Sequence, residues 1–520
     1  MAFWKQRHHM GWAALITGAS ILLSRLMGLV RDKVISYLFG AGTESDLYFA
    51  AFVIPDFLNH MLAGAYFSIT LIPLLSSRFE KDPEDGWRFF SAVFTWVVIC
   101  SAALTAIAML IAPALARFAA PGLDPAASAR LVFFIRIILP AQMFFLAGAC
   151  LLALLYLRKQ FLIPALCPIV YNGLIIIGGL MLRHRGMEGF CWGVLGGAFL
   201  GSFLLPYLAA LKGDGLKLTL QFLHPGVLRF AALALPLIIG QSIVVWDEQL
   251  VRIFGSLCGA GAVSWLNYAR RIMMVPVGAV AQAAGVASFP FLAELVARAD
   301  TRRFSQTLNQ ALRHILTLLI PLTLWLIVAA RPAITLVFQQ GQFSAGKDTA
   351  PTALLLAIFV SAASGWGVQQ ILGRAFYARQ DMMSPVVLGT LATVLSLPLF
   401  FAGAKWLGPP GVAGASALAV LFYTTILGMR WRSRFGGDAF SGLGAHGLRI
   451  LLISIACALP AALINRSYAA CVHEDPILAS AAVLAAHGVV CGSLFVALCA
   501  RFAPDAIEPF LRRLGRRGLP

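Results

Sequence analysis

Long apolar stretches dominate this chain and restrict what it can fold into. A helix needs about 20 mostly apolar residues to cross a bilayer, and fourteen stretches of the 520-residue sequence meet that requirement. No loop between them is long enough for an independent domain. The sequence therefore predicts an all-α polytopic membrane protein with fourteen transmembrane helices, called spans 1 to 14. The spans lie near 14–39, 47–76, 90–116, 128–156, 162–182, 189–211, 228–256, 262–292, 309–330, 351–376, 384–404, 411–429, 448–465 and 477–500.

The composition supports a membrane protein. Hydrophobic residues make up 60% of the chain and charged residues 12%, with a mean hydropathy of +0.84, whereas a soluble domain carries about 25% charged residues. This balance excludes a disordered chain, a disulfide-stapled scaffold and a soluble multidomain enzyme. The nine cysteines lack metal-ligand spacing, which indicates core side chains. The first apolar stretch continues into charged residues, which predicts a retained span rather than a cleaved signal peptide.

The basic residues are distributed unevenly between alternate loops. With the N-terminus inside, 25 Lys and Arg side chains fall in cytoplasmic segments and eight fall outside. Because positive charge accumulates in cytoplasmic loops, this asymmetry predicts a multi-pass membrane protein with both termini in the cytoplasm. The same asymmetry accounts for the net charge of +18 without a nucleic-acid partner.

The sequence contains an internal repeat. Phe39–Gly42 and Cys258–Gly261 begin similar segments 219 residues apart, and Tyr156–Lys159 resembles Tyr377–Gln380 at an offset of 221. An offset of this size covers six spans, so the two halves share one orientation, as in parallel transporter repeats. We therefore predict two six-helix lobes and two added helices. Their ranges are an N-terminal lobe at 1–220, a C-terminal lobe at 221–435, and spans 13–14 with a basic cytoplasmic tail at 436–520.

Charged side chains inside the spans are the main functional clue. One such charge facing lipid near the midplane costs roughly 2.5–3.5 kcal/mol, so these groups should face a watery cavity or one another. Midplane sites at repeat interfaces bind substrate in transporters, and guanidinium groups bind phosphate through paired hydrogen bonds. A cationic cavity for an anionic ligand follows as a hypothesis. The cations are Arg25, Arg31, Lys33, Arg136, Arg252, Arg270 and Arg271, and the acids are Asp32, Asp56, Asp247 and Glu248.

Helical spacing gives competing interpretations for the charges of span 1. Arg25 and Asp32 are seven residues apart and should share a face, whereas Arg31 should point about 100° away from Asp32. Arg31 and Lys33 could instead extend towards a helix end and reach the membrane surface.

The remaining intramembrane charges also allow two interpretations. Glu248 and Arg252 have the i, i+4 spacing of a self-neutralised pair, which competes with a role in ligand binding. Asp247 could be a counter-ion for Arg270 or Arg271, or a carboxylate that couples transport to an ion. Arg136 could belong to a structural pair or to a functional site.

Several motifs resemble the MurJ/MviN family of lipid II flippases, within the multidrug/oligosaccharidyl-lipid/polysaccharide exporter superfamily. The span 1 motif is the most specific, and the resemblance covers at least residues 20–390. The motifs are Ser24–Asp32, Phe39–Gly42 with Asp46, Val263–Trp265 with Tyr268, Ala269 and Arg271, Gln340–Phe343, and Phe376–Asp381 with Pro385.

The resemblance implies a protein of the bacterial inner membrane and also implies how such a protein works. The family's cavity arginines match Arg25, Arg31 and Arg271, and its acidic positions match Asp32 and Asp46. These residues would recognise the pyrophosphate and sugar of lipid II during alternating access, with the polyprenyl tail along spans 13–14. The driving force would be the membrane potential, or coupling to a monovalent cation or proton, without a cofactor or metal. The resulting substrate-binding set is Arg25, Arg31, Asp32, Asp46, Arg270, Arg271, Ser24 and Asn59, with Asp247 and Glu248 as candidates for ion coupling.

The chain also departs from the family pattern. The family has an arginine at Asn59, a glutamate at Gly64, and acidic residues at Arg270 and Met274. Span 2 lacks the family's arginine (at Asn59), and span 8 has an additional one (Arg270). The two changes together could move a substrate contact from one span to the other while the net charge of the cavity stays the same. The same changes could mark a flippase for a different glycan.

Three function classes are considered: a transporter, a membrane-embedded enzyme, and a non-transporting scaffold of a cell-wall complex. The scaffold is disfavoured because it would not require intramembrane arginines. The favoured function is a lipid II flippase for peptidoglycan synthesis, with membrane lipid and the cell-wall synthesis machinery as further partners. A flippase for another polyprenyl-diphosphate glycan, of the O-antigen or exopolysaccharide type, is the alternative, and a drug exporter of the same superfamily fits less well because small cations favour an acidic cavity. A polyprenyl-phosphate enzyme is disfavoured because the sequence lacks an acidic metal cluster, a sizeable loop and a His pair at ligand spacing.

Overall fold

The structure is a computed structural model that describes residues 10–63, 70–212, 215–242, 246–471 and 476–508. Within these ranges the secondary structure is helical and contains no β-strand. Contacts divide the chain into two compact units, one formed by Met1–Ile35 and Ala41–Ser264 and the other by Ser36–Gly40 and Trp265–Pro520. We call them the N-terminal and C-terminal units.

The helices follow one another with short connections. Those that begin before Ser264 are α1 (Met10–Phe39), α2 (Thr43–Ala51), α3 (Val53–Ala63), α4 (Ile72–Lys81), α5 (Pro83–Leu110), α6 (Ala112–Ala119), α7 (Pro125–Ile138), α8 (Ala141–Leu157), α9 (Leu162–Met181), α10 (Glu188–Gly197), α11 (Leu205–Lys212), α12 (Pro225–Ser242), α13 (Trp246–Gly255) and α14 (Ala262–Met274). The later ones are α15 (Pro276–Ala297), α16 (Thr301–Val328), α17 (Ala330–Phe338), α18 (Ala350–Ser361), α19 (Ala363–Ala378), α20 (Met383–Leu407), α21 (Pro409–Phe435), α22 (Leu443–Cys471) and α23 (Pro476–Phe502).

The prediction of an all-α polytopic membrane protein is confirmed. Nine helices among the described residues are long and apolar enough to cross a bilayer, and α18 and α19, bent by 40°, make a tenth if they form one span. Every predicted span overlaps one helix or a run of successive helices. The count of fourteen and the three predicted domain ranges stay predictions.

An aspartate followed by a proline marks the start of two helices, α5 and α7. The Asp82 side chain accepts a hydrogen bond from the Glu84 N–H at 2.9 Å where α5 begins. Asp124 does the same for Ala127 at 2.7 Å where α7 begins. The carboxylate satisfies an N–H without a helical partner, and proline at the first helical position needs none. These caps fix where α5 and α7 leave the loops.

The predicted repeat appears in the backbone of two helical hairpins. Gly186 precedes α10 with φ of 68°, and Gly408 precedes α21 with φ of 64°. Both values lie in the left-handed region that favours glycine. The turns at Lys159 and Gln380 both have φ of 59°, at the offset of 221 residues found in the sequence. Each unit thus repeats the same local chain reversals.

Each unit has its own apolar core. In the N-terminal unit, Phe89 and Phe90 of α5 and Leu155 of α8 are fully buried in one cluster. In the C-terminal unit, Ile450 of α22 and Cys499 of α23 are fully buried in another. The cysteine belongs to this packing, as the sequence predicts.

Candidate functional site

The intramembrane charges of α1 form an ion pair. The Nε and Nη2 atoms of Arg31 donate to Oδ1 of Asp32 at 3.0 and 2.9 Å. The two side chains are only 12% and 2% exposed. The prediction that Arg31 points away from Asp32 is therefore wrong. A guanidinium on a long side chain can fold back to its neighbour, and burial makes the pairing favourable because an unpaired charge in an apolar setting is costly.

Asn172 of α9 is a further hydrogen-bond partner of Arg31. Nη1 of Arg31 donates to the amide oxygen of Asn172 at 3.3 Å, and the amide nitrogen of Asn172 donates to the carbonyl of Pro168 at 2.8 Å. Sequence reasoning missed Asn172. The available signal was a single amide in an otherwise apolar span, which must find a partner when buried. Arg31 is thus oriented by groups from two helices.

A second buried guanidinium lies on α13. Arg252 donates to Asp56 of α3 at 2.7 Å, to Glu248 at 2.5 Å and to Gln249 at 3.2 Å. The predicted pairing of Glu248 with Arg252 is confirmed. The contact with Asp56 is 196 residues away in sequence, so helical spacing could not have revealed it.

An apolar cavity adjoins this group. It has a volume of about 360 Å³ and is lined by Gln249 together with Phe57 and Trp246, among others. The N-terminal unit therefore contains two buried guanidinium groups, each in contact with carboxylates.

Asp46 of α2 contacts the N-terminal end of α14. Its carboxylate accepts hydrogen bonds from the N–H of Gly261 at 2.6 Å, the N–H of Ser264 at 2.7 Å and the Ser264 hydroxyl at 2.5 Å. The Ser264 hydroxyl also lies 2.9 Å from that of Ser45, the serine 219 residues earlier in the repeat. Because carboxylates at helix N-termini satisfy free N–H groups, the geometry gives Asp46 a capping contact.

The other predicted cations of the site lie on the part of α14 that belongs to the C-terminal unit. Arg270 is partly exposed and its guanidinium lies 5.9 Å from the ring centre of Phe359. Arg271 is also partly exposed. Earlier on α14, the indole N–H of Trp265 donates to Asp348 at 3.1 Å. Asp348 was not predicted from the sequence.

Four further residues of the predicted substrate-binding and ion-coupling set have partly exposed side chains. Ser24 and Arg25 lie on α1, Asn59 on α3, and Asp247 at the start of α13. Gly64 lies outside the described residues.

Arg136 gives a useful contrast. It lies on α7 with an exposed side chain, and its Nε donates to the backbone carbonyl of Met109 at 3.4 Å. This geometry fits the structural interpretation. Within the described ranges, no group of three or more His, Cys, Asp or Glu side chains could hold a metal ion.

Comparison with known proteins identifies the family. The profile described as "Lipid II flippase MurJ" matches residues 35–475, which is most of the chain. The chain belongs to the MurJ lipid II flippase family. A "Lipid II flippase MurJ" from Burkholderia cenocepacia is 29% identical over 385 residues, covering 72% of this chain and 74% of that protein. A "Probable lipid II flippase MurJ" from Vibrio cholerae is 27% identical over 429 residues, covering 80% and 81%.

Solved structures agree with this family at the level of the fold. A structure described as "Lipid II flippase MurJ, inward closed conformation" matches with a TM-score of 0.79 at 22% identity, covering 95% of this chain and all of that one. An inward-facing multidrug transporter of the MATE family matches with a TM-score of 0.67 at 14% identity, covering 81% and 98%. The predicted membership of the MurJ family is thus confirmed, and this chain is a multi-pass transporter of the inner membrane rather than an enzyme.

Proposed function

We propose that this protein moves lipid II from the cytoplasmic to the outer leaflet by alternating access, supplying peptidoglycan synthesis. The observation that carries the proposal is the guanidinium of Arg31, buried in an apolar helix and oriented by Asp32 and Asn172. Burying a charged side chain within a membrane-spanning helix is energetically costly, so such a residue is expected to have a functional role. Membership of the lipid II flippase family supplies the substrate class.

Arginine suits the diphosphate of the substrate. Its planar group forms paired hydrogen bonds with phosphate oxygens. We propose that Arg25 and Arg31 from α1, and Arg270 and Arg271 from α14, each contact the headgroup during the transport cycle. Asp32 then acts as the counter-ion of Arg31 until the diphosphate replaces it.

Polar residues around these arginines take supporting roles in the proposal. The hydroxyl of Ser24 and the amide of Asn59 hydrogen-bond the sugar. Asp46 positions α14, since its carboxylate caps the N-terminus of the helix that carries Arg270 and Arg271. Its effect on substrate binding is therefore exerted through α14.

Ion coupling is assigned to the start of α13. Protonation of Glu248, or its binding of a monovalent cation, would weaken its contact with Arg252, and Asp247 is the adjacent carboxylate. The membrane potential would act on the same charges.

The polyprenyl tail is assigned to α22 and α23. Leu459, Leu463 and Val489 on these helices are each more than 60% exposed, which suits contact with an isoprenoid chain. The N-in, C-in orientation belongs to the same proposal, since it places the basic loops in the cytoplasm.

The test combines complementation with a vesicle assay. Cells depleted of their own lipid II flippase receive the wild-type gene, Arg31→Ala, Arg31→Lys or Arg136→Ala. Wild type and Arg136→Ala should restore growth, since Arg136 is an exposed intramembrane arginine outside the proposed site. Arg31→Ala should fail, and Arg31→Lys should restore growth weakly because an ammonium cannot form the paired contact. Rescue by Arg31→Ala at normal expression would contradict the proposal.

A second candidate is a flippase for another polyprenyl-diphosphate glycan. Asn59 favours it, because the family resemblance implies an arginine at this position. Vesicles holding only this protein separate the two candidates. Transbilayer movement of lipid II would support the first, and movement of a different polyprenyl-diphosphate glycan without lipid II would support the second.

A further inference from the structure

The apolar cavity beside Arg252 takes no part in the function proposed above. Its volume of about 360 Å³ lies within the range of small-molecule sites, which extends from about 300 to 1,000 Å³. The lining comes from α3, α5, α6 and α13, and its described residues include no ionisable side chain. A charged molecule would lose its hydration in such a space without gaining a partner on the lining. The occupant should therefore be uncharged.

The cavity is closed at α3 and open at α5 and α6. Val53 and Ile54 of α3 form a buried wall, whereas Ile107 of α5 and Phe118 of α6 are 54% and 51% exposed. Because α5 is long and apolar enough to cross a bilayer, these exposed apolar side chains should face the hydrocarbon of the membrane. A lipophilic molecule dissolved in the bilayer can reach the cavity from that side.

Three aromatic side chains meet in the cavity lining. The ring centres of Phe57 and Trp246 are 4.8 Å apart, and Phe118 meets Trp246 edge to face with ring centres 6.5 Å apart. Aromatic rings stabilise one another in offset and edge-to-face pairs beyond the effect of surface burial. A rigid ring can join this group, whereas a flexible acyl chain would lose conformational entropy when it is confined there. The lining thus favours an aromatic occupant.

Gln249 supplies a hydrogen-bond donor to this apolar lining. The residue is 2% exposed, and its Oε1 accepts a hydrogen bond from Nη1 of Arg252 at 3.2 Å. A guanidinium only donates, so this contact fixes which end of the amide faces Arg252. The amide nitrogen has no acceptor among the residues that the structure describes, and a buried donor without a partner is costly. An occupant should therefore offer an acceptor to Gln249.

We propose that this cavity binds an uncharged aromatic carbonyl compound taken up from the bilayer. Its ring packs against Phe57, Phe118 and Trp246, and its carbonyl oxygen accepts a hydrogen bond from the amide nitrogen of Gln249. An aromatic hydrocarbon of the same shape binds less tightly, because it leaves that donor without a partner.

The experiment compares two radiolabelled probes, benzophenone and diphenylmethane, which share two phenyl rings and differ by the carbonyl. Binding to the purified full-length chain in detergent is measured by equilibrium dialysis against protein-free micelles, which corrects for partition of the probes into detergent. Benzophenone should bind saturably and about two- to tenfold more tightly than diphenylmethane, the factor expected for one neutral hydrogen bond.

Two variants locate the binding to this cavity. Ala108 is 7% exposed and lines the cavity, so Ala108→Leu should weaken benzophenone binding at least about fivefold because the larger side chain occupies the same space. The matched control is Ala106→Leu, at an exposed position of the same helix that does not line the cavity, and it should bind like wild type. Gln249→Glu keeps an oxygen acceptor for Arg252 but removes the amide donor, so it should abolish the preference for the ketone.

Equal binding of the two probes to wild type would overturn the proposal, since the occupant would then need only apolar surface. Equal effects of Ala108→Leu and Ala106→Leu would place the binding elsewhere and would also overturn it. Far-UV circular dichroism checks that each variant is folded. If Ala108→Leu fails to fold, Gln249→Glu decides the matter, because a preference for benzophenone that survives in this variant contradicts the role of the amide. The measurement uses no lipid II, so its outcome is independent of the proposed transport function.

Discussion

Replacing Arg252 should reveal how much of the N-terminal unit depends on one buried ion group. The side chain is 7% exposed and contacts Asp56 at 2.7 Å and Glu248 at 2.5 Å. Arg252→Met keeps much of the side-chain volume and leaves two carboxylates without their guanidinium. Breaking a buried pair costs about 3–5 kcal/mol. The carboxylates are 30% and 43% exposed, so water lowers the expected loss to about 2–3 kcal/mol.

The same geometry predicts a ranking. Glu248→Gln should cost less than about 1 kcal/mol, since the more exposed carboxylate is screened most and Asp56 still balances Arg252. Asp56→Asn should fall between the two, at about 1–2 kcal/mol, because that contact is less exposed to water. The ranking follows burial rather than distance, since the Glu248 contact is the shorter of the two.

The assay is denaturant unfolding of the purified full-length chain in one detergent, followed by far-UV circular dichroism. The combined variant Arg252→Met, Asp56→Asn and Glu248→Gln removes all three charges of the group and should recover part of the loss, because neither carboxylate then remains without its guanidinium. A triple variant as unstable as Arg252→Met alone would refute the reasoning. So would a Glu248→Gln variant that loses as much as Arg252→Met.

Three further outcomes are expected from the same unfolding measurement. Asp46→Ala should lose about 1–2 kcal/mol, because the start of α14 loses its cap, and an unchanged midpoint would contradict that role. Gly178→Ala should lose about 1–3 kcal/mol because the new Cβ would lie 2.6 Å from Gly193 Cα, whereas Gly414→Ala, with open space around it, should be neutral or stabilising. Trp265→Phe should lose about 1 kcal/mol with its 3.1 Å hydrogen bond, and a neutral result would show that the bond contributes nothing.

The fold class was predictable because a bilayer imposes a simple length rule. Apolar stretches of about 20 residues must become helices, since lipid offers no partners for backbone N–H and C=O groups. The breaks within the predicted spans were not predicted. Span 2 contains parts of α2 and α3, which are separated by a break at Phe52. Proline is the local signal, since Pro55 lies in the first turn of α3.

The candidate site was predictable only where contacts are local in sequence. Glu248 and Arg252 are one helical turn apart, so their pairing follows from helix geometry. Asp56 and Asn172 join their arginines from 196 and 141 residues away, and a single sequence contains no spacing rule for such contacts. The error at Arg31 had another cause. Helical angles give the direction of Cβ, whereas the guanidinium lies several bonds further out and can turn back.

These pairs change how the buried arginines can act on a substrate. Arg31 contacts one carboxylate and Arg252 contacts two, and these ion contacts offset much of the cost of burying a lone charge. A diphosphate that binds Arg31 must then compete with Asp32 at the same guanidinium. This competition lowers the affinity for the diphosphate. It also favours release, because Asp32 can form its ion pair with Arg31 again as the diphosphate leaves. A transporter must both bind and release its substrate. An arginine with a counter-ion beside it can do both.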